Sequence, residues 1–174
     1  MQPQSGNLSI SARSRLMKEF DGLNKDNTLG IQVRFSKDAN GSEMLEEWDI
    51  FIEGPPDSIY EGYTLHAKMH FPTKYPFQPP TFRFVTPMFH PNIYNDGMVC
   101  ISILHTERDD PTDVENEKYT WTPGQNVRTV CLSIISLLNE PNIYSPANVD
   151  ASKLMRDDEQ SYLARIKAGL EESN

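Results

Sequence analysis

The stretch LHAKMHFPTKYPFQPPTFRF, residues 65–84, decides the fold class. Leu65, Ala67, Met69 and Phe71 alternate with His66, Lys68 and His70. An apolar side chain at every second position is the period of a strand with one buried face. Pro72, Pro76, Pro79 and Pro80 then place four prolines in nine residues. Proline lacks the ladder's amide donor, so this block cannot be a central strand and reads as a loop. Phe82 and Phe84, with Thr86 in phase, restart the alternation.

Working towards the N-terminus, Trp48, Ile50 and Ile52 alternate until EGPPD, and Ile31, Val33 and Phe35 alternate before the turn DANG. Leu16, Phe20 and Leu23 lie four and three apart. They share one face of a predicted helix, capped by Ser9 or Asn7 and ending near Leu23. Towards the C-terminus, periodicity stops after Pro87 for about forty residues, a length that usually marks a functional loop. Residues 126–139 then read as a helix apolar nearly all round, so it is expected to be buried. Two short helices follow, at about Val149–Arg156 and Asp158–Leu170. The fold class is α/β of the α+β kind: an N-terminal helix, a four-stranded antiparallel meander with helix on one face, a long loop and C-terminal helices.

The 174 residues suit one domain, read as 7–174 after a loose tail at 1–6. A net charge of −9 speaks against a nucleic-acid partner and for partners with basic patches. Two cysteines are too few for a disulfide framework and fit a reducing compartment. MQPQSGNLSISARSR has no apolar signal region, and no apolar run approaches the ~18 residues of a membrane span. A cytoplasmic or nuclear monomer, off the membrane, is the expectation. The one charge run is HTERDDPTDVENEK, about residues 105–118, where six acids face Arg108 and Lys118.

Cys131 sits in TVCLSIISLL and reads as a small hydrophobe of the core. Cys100 lies in HPNIYNDGMVCISILH, just after an Asp96–Gly97 turn. Its residues alone leave three readings open: buried loop cysteine, metal ligand or nucleophile. Zinc wants four ligands in short pairs. His66 and His70 have such spacing but lie on a strand, and His90, Cys100 and His105 make no second pair. A papain-like site needs a histidine paired to the thiol in space, and the sequence around Cys100 matches no such pattern.

The whole stretch FPTKYPFQPPTFRFVTPMFHPNIYNDGMVCISIL resembles the core of ubiquitin-conjugating enzymes. His90-Pro91-Asn92 stands at that family's distance before the cysteine. The block Tyr75–Pro80, Trp121-Thr122-Pro123, Leu137-Leu138 and Glu140-Pro141-Asn142 fall in family order, so the resemblance covers about residues 10–170. CISILH, an acidic insertion, then WTPGQNVRTV and SLLNEPNIYSPANVDAS are most similar to the acidic-loop subclass that works with cullin–RING ligases.

The resemblance implies that Cys100 takes ubiquitin as a thioester from an activating enzyme and yields it to a lysine amine. Asn92 is implied to serve the oxyanion or order the loop, while His90 and Pro91 brace it. Many relatives carry an aspartate in the loop after the buried helix where this chain has Ser145, and Asp109, Asp110 and Asp113 are the acids expected to position the acceptor. Tyr94 is core or site lining, and His105 tunes the loop or packs it. No strong base beside the thiol is expected. Phe77, Trp121, Thr122 and Pro123 resemble the loops that receive a RING-type ligase, as exposed aromatic and proline side chains. Arg13, Arg15 and Lys18 resemble the basic face that meets the activating enzyme. No cofactor or metal is implied, since ATP is consumed by the activating enzyme. The alternatives are a conjugating enzyme for another ubiquitin-like modifier, a non-catalytic ubiquitin-binding variant, and a small cysteine protease.

Overall fold

Strands β1 (Ile31–Lys37), β2 (Glu43–Glu53), β3 (Thr64–His70) and β4 (Thr81–Phe84) pair in chain order as one antiparallel sheet. The computed structural model describes residues 6–106 and 120–173. Trp48 lies opposite Phe35 and Met69, and Ile50 opposite Val33 and Ala67, so the alternating apolar positions meet on one face. The other face carries Gln32, Arg34, Asp49, His66 and Lys68, all exposed or half-buried. β4 stops at Phe84, short of Thr86, because the amides of Val85 and Thr86 both turn to the His66 carbonyl.

Helix α1 (Ile10–Lys25) is capped by Ser9, whose hydroxyl accepts from the Ala12 amide at 3.1 Å. It runs two residues beyond the expected end and buries Ala12, Leu16 and Leu23. Phe20 stacks on Phe35 at 3.9 Å and meets Trp48 edge-on at 5.3 Å. From Trp48 the ring contacts continue through Phe71 and Tyr75 to Trp121. The proline block therefore hangs from the core by Tyr75, while Phe77 is 77% exposed.

Helix α2 (Val127–Asn139) opens with a capping box between Asn126 and Thr129. It buries Val127, Val130, Cys131, Ile134 and Leu138. The expectation of burial all round is wrong, because only one side of α2 meets the core. Leu132 is 41% exposed, and the open side borders a shallow cleft with Ile101. Helices α3 (Val149–Asp157) and α4 (Glu159–Glu171) follow, with Tyr162, Ile166 and Leu170 of α4 in the core. No helix among the described residues is long and apolar enough to cross a membrane.

Candidate active site

The loop after β4 is fixed to the sheet by its own backbone. Gly97 has φ +89°, and a β-carbon there would stand 2.2 Å from the Phe84 carbonyl oxygen. Only glycine lets this turn lie so close. In return the Phe84 amide donates to the Gly97 carbonyl at 2.8 Å, and the Val99 amide to the Phe82 carbonyl at 3.1 Å. Cys100 follows directly, its amide donating to the Asn92 carbonyl at 2.9 Å. A 3-10 turn at Ser102–Leu104 buries Ile103 and Leu104 and brings the chain round to His105.

Braces hold this loop from behind. His90 is fully buried: Nε2 donates to the Leu137 carbonyl at 3.0 Å, and Nδ1 accepts from the Asn92 amide at 3.0 Å. Burial pushes its pKa down to about 4, so at neutral pH the ring is uncharged and one tautomer fits both bonds. This geometry makes it a brace. Asn92 is 3% exposed and grips one residue twice: Nδ2 donates to the Asn142 carbonyl at 2.7 Å, and Oδ1 accepts from the Asn142 amide at 2.8 Å. Pro91 is buried, and its carbonyl accepts from the Asn148 amide at 2.9 Å. Asn148 also caps α3 and donates to Asn95 Oδ1 at 3.1 Å. Sequence reasoning missed Asn142 and Asn148 as braces. The legible signal was an asparagine at the cap position before α3.

The thiol is half-buried, and His105 and Tyr94 stand close enough to act on its pKa. His105 is the main reason that its pKa is lowered; partial burial works against this, and the Tyr94 hydroxyl adds to the lowering. The same pairing with Cys100 raises the pKa of Tyr94, which is 47% exposed and lines the site. A histidine therefore stands near the thiol, where no strong base was expected. Cys131 is the opposite case: fully buried, its thiol is pushed up to about 12. Among the described residues no group of three or more His, Cys, Asp or Glu is placed to hold a metal ion.

A braced, partly open cysteine behind a His-Pro-Asn segment sets the question of kinship. Residues 15–169 match the family described as ubiquitin-conjugating enzyme. The chain belongs to the ubiquitin-conjugating enzyme family. It is 48% identical to the ubiquitin-conjugating enzyme E2 of African swine fever virus (isolate Pig/Kenya/KEN-50/1950), over 91% of this chain and 70% of that protein. It is 45% identical to ubiquitin-conjugating enzyme E2 7 of Arabidopsis thaliana, over 95% and 98% of the two chains. With human ubiquitin-conjugating enzyme E2 G2 the identity is 42%, over 94% and 96%. The protein is thus a transferase of this family, and its sheet and four helices agree with the family fold.

The remaining predicted residues of this conjugating enzyme fall in three places. Phe77, Thr122 and Pro123 are exposed. Trp121 is not: it is 5% exposed, its Nε1 donates to the Pro76 carbonyl at 2.8 Å, and its amide donates to the His105 carbonyl at 2.8 Å. It staples the proline block to the site loop and presents no exposed aromatic surface. Arg13 and Lys18 are exposed on α1, but Arg15 is turned inward. Its guanidinium donates to Glu19 at 2.8 Å and to the carbonyls of Pro123 and Gln125 at 2.6 and 2.5 Å. Ser145 is exposed and makes no hydrogen bond among the described residues. Asp109, Asp110 and Asp113, most of the acidic insertion, and residues 1–5 of the tail lie outside the described residues.

Proposed function

We propose that this conjugating enzyme carries ubiquitin as a thioester on Cys100, received from an activating enzyme, and passes it to a lysine amine with a RING-type ligase. The observation that carries the reading is a reachable thiol, biased towards thiolate by His105, on a loop held rigid by His90, Asn92 and Asn148. Exchange between thioesters is nearly isoenergetic, so access matters more than strong activation. Aminolysis passes through a tetrahedral oxyanion. An amide nitrogen has two N–H donors, and Asn92 spends one on Asn142. The second is the donor available to the oxyanion, and such donors lower barriers by about 3 kcal/mol. ATP is spent by the activating enzyme, so this chain needs no cofactor of its own.

The acidic-loop reading belongs to the same proposal. A nearby carboxylate raises an amine's pKa, so the acids after His105 act by attracting and orienting a basic acceptor or taking its proton. The sequence that supports this is CISILH followed by the acidic run, with Ser145 after α2. Cullin-based RING ligases are the partner class that it points to.

A charging assay tests both parts. The protein is mixed with activating enzyme, ATP and ubiquitin and run on a non-reducing gel. A band larger by one ubiquitin is expected, lost with thiol reductant and in Cys100→Ala but kept in Cys131→Ala. No band from folded protein with a competent activating enzyme would overturn the carrier role. Replacing the acids of residues 107–117 by neutral residues should impair ubiquitin–ubiquitin linkage more than charging. Equal loss of both steps overturns the acidic-loop role.

A further inference from the structure

Away from Cys100, the loop after β2, the end of α2 and helices α3 and α4 enclose a cleft of about 530 Å³. That size falls in the range of ligand sites. Its apolar floor includes Ile59, Leu138, Met155, Leu163 and Ile166. Its charged lining residues are Asp57, Glu140 and Glu159; among the described residues no lysine, arginine or histidine lines it. All three acids are exposed, and none has an ion-pair partner among the described residues.

Two tyrosines complete the wall. Tyr60 is 2% exposed and Tyr162 5% exposed. Burial raises the pKa of both, and for Tyr60 the nearness of Tyr162 adds to it. Neither hydroxyl has a hydrogen-bond partner among the described residues, and neither oxygen is sealed from solvent, so both can take a partner from outside. The position of Tyr60 is set by the backbone. A β-carbon on Gly54 would stand 1.6 Å from the Tyr60 carbonyl oxygen, so only glycine permits this loop. The Tyr60 amide is held by Ser58 Oγ at 3.2 Å, and its carbonyl accepts from the Tyr63 amide at 3.0 Å. The cleft thus pairs a fixed polar group with an apolar floor and an unpaired acidic rim.

We propose that this cleft is a docking site for a basic, apolar segment of a partner protein. An apolar side chain of the segment fills the floor, and flanking arginines or lysines meet Asp57, Glu140 and Glu159. A guanidinium or backbone N–H donates to Tyr60. Charge complementarity selects this occupant: the rim repels nucleic acid and acidic peptides, and the floor gives a purely cationic chain nothing to bury. The site is independent of the Cys100 reading.

The test uses the full chain and labelled peptides. The probe is acetyl-Arg-Leu-Arg-Phe-Arg-amide, with Ser replacing Leu and Phe in one control and Glu replacing Arg in another. A protein of charge −9 attracts any cation, so location and the apolar requirement decide the outcome. Amide shifts in ¹⁵N spectra should be confined to residues 57–60, 138–140 and 155–166. Binding should weaken about tenfold for the Ser control and for Leu163→Arg, as expected when a buried apolar anchor is lost. Leu163 is 38% exposed, so that variant sits at the surface. Tyr60→Phe keeps the packing and should weaken binding without lowering stability, because it removes a hydroxyl that has no partner. Shifts scattered over other acidic surfaces, equal affinity for the Ser control, or no binding would overturn the site.

Discussion

Cys100 and Cys131 are the same side chain in opposite surroundings, and the surroundings divide their chemistry. Burial alone keeps Cys131 a thiol. At Cys100 the imidazole of His105 outweighs partial burial, so more thiolate is present at neutral pH than an isolated cysteine would hold. His105→Gln retains a hydrogen-bond donor but removes the ring's capacity for positive charge. The pH profile of iodoacetamide alkylation should then move up, and the rate at pH 7 should fall. Tyr94→Phe should move it the same way by less, and Cys131 should stay unreactive throughout. An unchanged profile in His105→Gln would remove His105 from the thiol's electrostatics. The sequence could not display this pairing. Cys100 and His105 are five apart in a segment without periodicity, and the turn at Ser102–Leu104 that joins them depends on burying Ile103 and Leu104.

Between elements, the main joint is one carboxylate. Glu19 on α1 accepts from Arg15 at 2.8 Å and from the Tyr75 hydroxyl at 2.8 Å through one oxygen. Its other oxygen accepts from the Val127 amide, the first of α2, at 2.9 Å. Negative charge at a helix N-terminus is favourable. The same residue thereby ties α1, the proline block, the loop at 121–126 and α2 into one unit. The helix period showed α1 and α2 in the sequence, because each buries its own stripe, and the prolines marked the block between them. The joint was invisible there: an acid between Lys18 and Phe20 looks like any solvated helix position. Arg15 was misread for the same reason, since composition cannot distinguish a basic surface from a clamp. Glu19→Gln leaves a carbonyl oxygen for one or two of these donors and none for the rest. Stability should fall by about 1–3 kcal/mol, the usual cost of losing charge-assisted hydrogen bonds at a part-buried site. Hydrogen exchange at the Val127 amide should speed up, and stimulation of transfer by a RING-type ligase should fall more than charging. A melting curve and Val127 exchange like those of the parent would show that Glu19 carries no such load.

Over the whole molecule, the sheet supplies a rigid back, and the site loop is stretched between it and the α2–α3 connection. The strand alternation and the proline block made that back legible in residues 65–84, and the His-Pro-Asn and cysteine spacing marked where the site would be. The bracing bonds were not legible, because they join residues about fifty apart through backbone carbonyls and an amide that no side-chain pattern reports. One brace titrates. His90 has an ordinary value of 6.5 and is held at about 4 in the fold, so the unfolded chain binds its proton first. Its contribution is therefore complete above pH about 6.5 and is lost as the pH falls towards about 4, by a limiting amount on the order of 3 kcal/mol. The aspartates held low by their partners, Asp26, Asp49, Asp157 and Asp158, give up their share only below their ordinary 3.8, which leaves the histidine window separate. Urea unfolding of the parent and of His90→Gln, from pH 7.5 down to 4, should show converging stabilities. The variant is weaker at neutral pH, because its amide cannot reproduce both the Leu137 and Asn92 bonds at the ring's spacing, but it loses less on acidification. Parallel curves across that window would mean that losing the bond from the Asn92 amide to Nδ1 costs the fold nothing, and the brace would then be insensitive to pH.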